Sequence, residues 1–200
     1  MTDVWRFYQR HADTWDRDRS KPGQGLMERR YLDRVASLLN RGAEILDLGC
    51  GTGEPMASYL AECGFSVTGV DAAPAMITIC KGRYPKGVWI EADMRSLALE
   101  RRFDAIIAWD SFFHLAQGEQ RAMFPIFQRH IAPNGILLFT SGPRADEHIG
   151  TMYGEDLLQA SLSPDEYRAL LARSGFRVLH FAPEDPKCGG HTVWLAQAEG

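Results

Sequence analysis

Three glycines alternate over five residues directly after a short apolar run, and this feature constrains the fold more than any other. Residues 44–48 are followed by Gly49, Gly51 and Gly53, and a helical stretch begins soon after them. Glycine lets the backbone turn sharply, and it lets a ligand approach main-chain atoms without meeting a Cβ. Since a tight turn alone needs one or two glycines, the spacing predicts a strand, a ligand-binding loop and a helix in that order.

The chain beyond this loop keeps the alternation of strand and helix. From about residue 43 onward, short runs of strand-forming residues are separated by helical stretches, which is typical of βαβ units and a parallel sheet. The run 103–109 is almost continuously apolar, as expected for a strand that is covered on both faces. The seven predicted strands are residues 44–48, 66–70, 88–90, 103–109, 135–140, 176–181 and 192–196.

Two of the intervening helices carry clear local signals. Residues 117–131 show an apolar stripe at helical spacing, and Pro125 inside it should kink the helix or mark its first turn. Ser163, Pro164 and Glu166 supply an N-cap, a proline in the first turn and the glutamate of a capping box. A helix should therefore begin directly after Ser163.

Two segments fit the repeating pattern least well, namely the first forty residues and residues 143–162. A lid or a specificity element would lie in segments that do not follow the alternation of strands and helices. The earlier segment contains apolar residues at helical spacing, which predicts an amphipathic helix packed on the core. These residues are Trp5, Tyr8, Ala12 and Trp15.

Composition and charge exclude several classes of partner. The 200 residues include 22 Lys and Arg against 26 Asp and Glu, and no basic run exceeds two residues, so we expect no nucleic-acid partner. No apolar run approaches the roughly 20 residues of a membrane span, and the N-terminus is not that of a signal peptide. The four cysteines lack zinc-ligand spacing, so we expect free thiols, no metal and a cytoplasmic protein.

The charges around the glycine loop favour a cationic ligand over a dinucleotide. The dinucleotide fingerprint requires a third glycine at position 54, where this chain has Glu54, whose carboxylate would oppose a diphosphate at the helix N-terminus. Asp47, just before the glycines, adds a second acid. S-adenosylmethionine carries no phosphate but has a sulfonium and an ammonium beside one carboxylate. The loop chemistry therefore favours it.

Several segments together resemble one protein family. The sequence Leu-Asp-Leu-Gly-Cys-Gly-Thr-Gly at 46–53 resembles motif I of the class I S-adenosylmethionine-dependent methyltransferases. Residues 67–71 resemble the family's second strand, whose terminal acid, here Asp71, binds the ribose hydroxyls. Asp71 also stands 20 residues after Gly51, where ribose recognition would place an acid. Residues 91–94 resemble the segment after the third strand, in which the family's members contact the adenine with an acid and the backbone that follows it.

The resemblance runs from about residue 43 to 197 and implies both a fold and a cofactor site. The implied fold is α/β, a doubly wound, Rossmann-like sheet of seven strands, mostly parallel with an antiparallel last strand and helices on both faces. Residues 8–15 resemble the Tyr-x-x-x-Ala-x-x-Trp segment that folds over the cofactor in small-molecule methyltransferases. The implied residues binding S-adenosyl-L-methionine are Tyr8, Trp15, Asp47, Gly49, Cys50, Gly51, Gly53, Asp71, Ala72, Asp93, Met94 and Trp109.

One domain is expected over residues 1–200. Residues 1–42 would form a helical lid or cap, residues 43–142 the cofactor-binding half, and residues 143–200 a substrate-lid insertion with the C-terminal strands. A homodimer is compatible with the sequence.

The acceptor pocket is expected just beyond the fourth strand. Asp110 stands there, but the segment after it lacks both prolines of the Asn/Asp-Pro-Pro-Tyr/Phe signature of nucleobase methyltransferases, which argues against base methylation. His114 is the candidate general base, because a reference pKa near 6.5 allows it to accept a proton at neutral pH. A histidine satisfied by solvent at a helix start is the structural alternative. The candidate acceptor-binding residues are Asp110, Phe113, His114, His148, Tyr153 and His191.

Methyl transfer from a sulfonium is an in-line displacement that needs alignment of the reactants but no covalent catalyst. The expected function is therefore an S-adenosylmethionine-dependent methyltransferase that acts on a small-molecule acceptor. Two alternatives stay open. One is a nicotinamide-dependent reductase, and the other is a non-catalytic module that binds S-adenosylmethionine.

Overall fold

A seven-stranded sheet organises the protein, whose computed structural model describes residues 4–19 and 26–200. The helices are α1 (Val4–Arg19), α2 (Arg29–Leu38), α3 (Met56–Glu62), α4 (Pro74–Arg83), α5 (Gln117–His130) and α6 (Pro164–Arg173). The strands are β1 (Glu44–Leu48), β2 (Ser66–Asp71), β3 (Val88–Glu91), β4 (Phe103–Ala108), β5 (Ile131–Ser141), β6 (Asp146–Met152), β7 (Glu155–Ser161), β8 (Phe176–Asp185) and β9 (His191–Ala198). Short 3₁₀ turns lie at Met94–Ser96, Phe112–His114 and Pro186–Cys188.

The strand order in the large sheet is β3-β2-β1-β4-β5-β9-β8. The strands from β1 to β5 pair in parallel, whereas β9 runs antiparallel to both of its neighbours, β5 and β8. The predicted sheet, with its antiparallel last strand, is confirmed. The chain builds one half of the sheet outward from β1 and then returns to start the other half at β4. Such a reversal leaves a crevice at the carboxyl ends of the strands, where ligands bind.

Residues 143–162, which depart from the repeating pattern, contain an antiparallel hairpin outside the main sheet. Its strands β6 and β7 pair only with each other in the described structure, from Asp146 opposite Ser161 to Met152 opposite Glu155. The sequence pattern does not predict these strands, because most side chains of β6 are exposed and show no alternation of polar and apolar residues.

Helices cover both faces of the large sheet because successive strand residues point to opposite sides. On β5, Leu137 and Phe139 pack with residues of α5 and α6, whereas Ile136 and Leu138 pack with residues of α2 and α3. The ring of Phe139 stacks on Trp194 of β9 at 5.8 Å. Burial of each such side chain contributes about 1.5–3 kcal/mol to folding. The packed sheet therefore holds the loops at the carboxyl ends of its strands in fixed positions.

The two helix signals of the sequence have different outcomes. The Ser163 hydroxyl accepts a hydrogen bond from the Glu166 amide at 3.2 Å, so the predicted cap of α6 is confirmed. Helix α5 continues through Pro125, which neither ends the helix nor lies in its first turn. Among the described residues no helix has the length and apolarity to cross a membrane.

Candidate active site

A cavity opens at the carboxyl edge of the parallel strands, beside the reversal between β1 and β4. The loop after β1, the end of β2, the turn after β3 and the segment after β4 line it, and α1 lies across it. Eleven of the predicted cofactor residues line this first cavity, namely Tyr8, Trp15, Asp47, Gly49, Cys50, Gly51, Asp71, Ala72, Asp93, Met94 and Trp109. The twelfth, Gly53, packs instead against Trp89, whose ring would lie 3.3 Å from a Cβ at that position.

The glycine loop has little room for side chains. Gly49 and Gly51 have φ values of +72° and +54°, in the left-handed region that glycine occupies without strain. A Cβ on Gly49 would lie 2.2 Å from the Cβ of Ser111, so the loop after β1 packs directly on the segment after β4. A Cβ on Gly51 would meet only the Trp15 indole nitrogen, at 3.4 Å.

Asp71, at the end of β2, fixes the position of the loop. One carboxylate oxygen accepts a hydrogen bond from the Gly51 amide at 2.9 Å, and the other accepts from the Ala73 amide at 2.8 Å. Burial raises the pKa of Asp71 to about 6, against the opposing effect of these amides. The Asp71 carboxylate thus accepts hydrogen bonds from the protein backbone and also lines the cavity.

Asp47 is a buried carboxylate with an unused oxygen. It lies in the middle of the sheet, next to Gly69 of β2 and Ile107 of β4, with 2% of its surface exposed. Its Oδ2 atom has no hydrogen-bond partner among the described residues. Burial, followed by the nearby charge of Asp71, raises the pKa of Asp47 to about 7. Because an unpaired buried carboxylate is destabilising, this position is suited to a cationic ligand group.

Asp93 and Met94 form the wall after β3. Asp93 accepts a hydrogen bond from the Arg95 amide at 2.9 Å and pairs with the Arg95 guanidinium, which also binds Glu119 at 2.6 Å. Burial alone would raise the pKa of Asp93, but the hydrogen bonds from Arg95 outweigh it and the pKa is lowered. Asp93 is therefore an ionised acceptor at the cavity wall.

Helix α1 is fastened over the cavity by polar contacts to α4. The Gln9 side-chain oxygen accepts a hydrogen bond from the Ala75 amide at 2.8 Å, and Arg83 pairs with Asp16 at 2.6 Å. The aromatic residues Tyr8 and Trp15 of α1 meet edge to face at 5.4 Å. Helix α1 thereby places two aromatic side chains on the cavity.

His114 is held in one protonation state by its two contacts. Its Nδ1 lies 2.8 Å from the Leu158 carbonyl oxygen, which can only accept, so Nδ1 carries the proton. Its Nε2 lies 2.9 Å from the Tyr8 hydroxyl and accepts that proton donor. Burial lowers the pKa of His114, despite the opposing effects of Leu158 and Asp110. His114, the predicted base, is therefore neutral. Its unprotonated nitrogen, Nε2, accepts the hydrogen bond from Tyr8.

A second cavity adjoins the first on the other side of Tyr8 and His114. Four residues line both cavities, namely Tyr8, Trp15, Asp110 and His114. The predicted acceptor residues Phe113 and His191 line the second cavity, together with Glu184 and residues of the hairpin. The shared residues therefore mark the junction through which the two cavities meet.

Asp110 and His191 form an ion pair in the second cavity. His191 Nε2 lies 2.9 Å from Asp110 Oδ1, and Nδ1 lies 2.7 Å from the Cys188 carbonyl oxygen. The pKa of His191 is raised, first of all by its contact with Asp110, so this pairing favours the protonated imidazolium. Asp110 has a φ of 49°, a left-handed conformation that is uncommon outside glycine and is frequent at functional sites.

Comparison with known proteins identifies the family. The profile of a methyltransferase domain matches residues 24–181. The chain belongs to this methyltransferase family.

Similar sequences among the methyltransferases include enzymes with small substrates in their names. The chain is 34% identical over 122 residues to the dTDP-3-amino-3,6-dideoxy-alpha-D-glucopyranose N,N-dimethyltransferase of Streptomyces fradiae, covering 58% of this chain and 48% of that one. It is 31% identical over 121 residues to the trans-aconitate 2-methyltransferase of Escherichia coli, covering 60% and 44%. The chain thus spans about half the length of the curated relatives it matches.

Solved methyltransferase structures share the fold. The CalS10 amino pentose methyltransferase of Micromonospora echinaspora, with S-adenosylmethionine bound, superposes with a TM-score of 0.70 at 20% identity, covering 92% of this chain and 95% of that one. The magnesium protoporphyrin IX methyltransferase of Synechocystis has a TM-score of 0.73 at 17% identity, with coverage of 100% and 99%. At these identities the likeness establishes the Rossmann-like methyltransferase architecture.

Two predicted acceptor residues of the methyltransferase lie away from the junction. His148 is exposed on β6, pairs with Asp146 at 2.9 Å and lines a third cavity that adjoins the second. The Tyr153 hydroxyl donates to Asp18 at 2.8 Å, and its ring stacks on Phe7 at 5.9 Å. Both are on the hairpin, and neither lines the second cavity.

Other residues at the cavities were not predicted. Ser111 supports the loop, Arg95 and Glu119 hold Asp93, and the Leu158 carbonyl orients His114. Glu184 adds a carboxylate to the second cavity. No local sequence signal marks Ser111, Glu119 or Leu158, since each contacts a residue that is distant in the chain. Among residues 4–19 and 26–200 no cluster of three His, Cys, Asp or Glu could hold a metal ion.

Proposed function

We propose that this protein binds S-adenosylmethionine in the first cavity and transfers its methyl group to a small-molecule acceptor in the second. The single observation that carries the proposal is the buried Asp47 carboxylate, whose Oδ2 lacks a partner among the described residues. An ammonium group would supply the missing charge and hydrogen bond. S-adenosylmethionine offers such an ammonium group together with a sulfonium, whereas a nicotinamide dinucleotide has no ammonium group.

The other residues of the first cavity suit the rest of this cofactor. Asp71 would bind the ribose hydroxyls with the lone pairs that its backbone contacts leave free, and Asp93 with Met94 would hold the adenine. The backbone of Gly49 and Gly51 would lie against the methionine part, since no side chain intervenes there. When bound, the cofactor supplies an electrophilic methyl group on a sulfonium.

The junction residues would bring the acceptor to that methyl group. Trp15 and Tyr8 of α1 would close over the reactants as a lid and exclude water. Alignment of acceptor and methyl group at about 3 Å contributes much of the rate in such a displacement. His114 would serve as general base for an acceptor that must lose a proton. The Tyr8 hydroxyl would lie between His114 and the acceptor and would relay that proton.

The nicotinamide alternative is disfavoured by Glu54. Its carboxylate lines the first cavity and accepts a hydrogen bond from Ser58 at 2.7 Å, at the position where a dinucleotide fold has glycine. A diphosphate there would meet a fixed negative charge. The names of the sugar N,N-dimethyltransferase and the trans-aconitate methyltransferase support a small-molecule acceptor for this chain as well.

Calorimetry of cofactor binding tests the proposal. Wild-type protein should bind S-adenosylmethionine and S-adenosylhomocysteine and should not bind NADH. Asp47→Asn should weaken S-adenosylmethionine binding by about 1.5–3 kcal/mol, the value of one hydrogen bond to a charged group. Asp165→Asn, an exposed acid on α6, removes the same charge far from the cavity and should leave binding unchanged.

Binding of NADH in preference to S-adenosylmethionine would refute the proposal. Cofactor binding without release of S-adenosylhomocysteine, against a broad panel of acceptors, would instead identify a non-catalytic binding module.

A further inference from the structure

The charges that line the second cavity restrict which acceptors it can hold. Two carboxylates belong to the described lining, Asp110 and Glu184, and no lysine or arginine does. Arg144 lines the third cavity and not the second, and Asp146 lies in that third cavity as well. The second and third cavities adjoin, since they share Phe113, Ser141, Pro143 and Gln159. The described wall therefore has no fixed cation apart from a protonated histidine.

The two histidines of this cavity do not supply a free positive charge. His191 is paired with Asp110 at 2.9 Å, so the charges of these two residues cancel. His114 is neutral, because Nδ1 donates to the Leu158 carbonyl and Nε2 accepts from Tyr8. Glu184 then leaves this wall with a net charge of one negative unit. An acceptor with a carboxylate or phosphate would meet like charge here.

We infer that the second cavity takes an amine, and that the methylated atom is its nitrogen. The inference rests on the function proposed above and names the acceptor class for the same site. A protonated amine balances the charge of Glu184 as it enters, because the Asp110–His191 pair is already neutral overall. A carboxylate acceptor would leave the wall and ligand with two uncompensated negative charges.

The junction also provides a route for the amine protons. A protonated amine must lose one proton before its nitrogen has a lone pair for attack. The Tyr8 hydroxyl donates to His114 Nε2, so its oxygen can accept a proton from the amine while its own proton passes to Nε2. As the neutral nitrogen attacks, the nitrogen–carbon bond forms, the sulfur–carbon bond breaks and the electron pair remains on the thioether. Once His114 has released that first proton to solvent, the methylated ammonium can lose its proton by the same route.

Matched probes that differ in one group test the acceptor class. Benzylamine, benzyl alcohol and benzoate form one set, and glucosamine, glucose and glucuronate form another. The first readout is binding to protein saturated with S-adenosylhomocysteine, followed by the imidazole NMR signals of His114 and His191. The second is release of S-adenosylhomocysteine from S-adenosylmethionine. In each set the amine should bind about tenfold more tightly than the carboxylate, and only the amine should be methylated.

A pair of charge reversals locates the effect. Glu184→Lys changes an exposed lining residue and should reverse the preference so that the carboxylate probes bind more tightly than the amines. Glu62→Lys makes the same change in net charge on the exposed end of α3 and should leave the preference intact.

Tighter binding of carboxylates to the wild-type protein would overturn the inference, as would methyl transfer to an alcohol or carboxylate probe in preference to the amine. Absence of transfer to every amine would overturn it too. Cofactor binding measured on the same preparation separates this failure from that of the proposed function, which falls if S-adenosylmethionine itself does not bind.

Discussion

The Tyr8 hydroxyl donates a hydrogen bond to His114 Nε2 at 2.9 Å, although the two residues are 106 positions apart in the chain. Tyr8 comes from α1, which covers the first cavity, and His114 comes from the turn after β4. The Leu158 carbonyl of the hairpin holds the opposite nitrogen of the ring. The protonation state of His114 therefore depends on three elements, of which only the turn after β4 belongs to the central fold.

Removal of the Tyr8 hydroxyl should raise the pKa of His114. The hydroxyl donates to the neutral form of the imidazole, so Tyr8→Phe removes a contact that favours neutrality. NMR titration of the ring signals measures the change, and the pKa of His191 should stay constant. An unchanged or lower pKa of His114 would show that Tyr8 does not control its protonation.

Replacement of Asp47 should stabilise the cofactor-free protein at alkaline pH. Its folded-state pKa of about 7 lies above its ordinary value of 3.8, so its contribution to stability is fully present below that value and is lost as the pH rises through 7. Asp47→Asn removes the buried charge and should increase the free energy of unfolding at pH 8, on the order of 1–3 kcal/mol relative to pH 5. Urea unfolding at both values measures it. A variant with an unaltered pH profile would contradict the buried charge.

Gly49 should be the least replaceable glycine of the loop. Gly49→Ala places a Cβ 2.2 Å from that of Ser111 and requires a left-handed alanine, for a combined loss of about 2–5 kcal/mol in unfolding free energy. Gly118→Ala, in the first turn of α5 with no atom within 4 Å of the new Cβ, should be neutral or stabilising by up to about 1 kcal/mol. Equal stability of the two variants would contradict the close packing of the loop.

Asp110 should control the charge of His191. Asp110→Asn removes the main cause of the raised pKa, so the pKa of His191 should fall. The pair stabilises the fold fully below the ordinary histidine value of 6.5, and this contribution is lost as the pH rises through the raised pKa. The difference in stability between the wild type and the variant should thus be largest at acidic pH. Thermal unfolding at several pH values measures this difference. A stability difference that grows with pH would exclude the ion pair.

Gln120 of α5 should be essential for the stability of the contacts that join α5 to β7 and α6. It is fully buried, its side-chain nitrogen donates to the Leu115 and Ala160 carbonyls at 2.8 and 2.9 Å, and its oxygen accepts from Tyr167 at 2.5 Å. Gln120→Ala leaves these groups without partners and should lower the free energy of unfolding by about 2–4 kcal/mol. Gln128→Ala, exposed on the same helix, should change it by less than about 0.5 kcal/mol. Denaturant unfolding compares the two.

The fold and the first cavity could be predicted from local patterns. Strand β4 is apolar apart from Asp104 because helices cover both faces of the sheet, and a local run of apolar residues reveals this requirement. Asp47, Gly49 and Asp71 lie at strand ends, and the carboxyl ends of parallel strands meet at one edge in any such sheet. Their spacing along the chain therefore already indicated that they would lie together.

The lining of the second cavity depends on contacts that no local pattern encodes. His148 and Tyr153 are predicted to bind the acceptor, and the structure places both outside the lining of the second cavity. The Leu158 carbonyl of the same hairpin instead contacts His114. Glu184 reaches the second cavity only because β8 extends beyond its predicted end.

Periodicity and strand-end position thus determined the scaffold and the residues that line the first cavity. The protonation states of His114 and His191, and the charge of the second cavity, were decided by the tertiary structure. The reason is physical: hydrophobic burial repeats along a chain, while a hydrogen bond between distant residues depends on where separate elements dock.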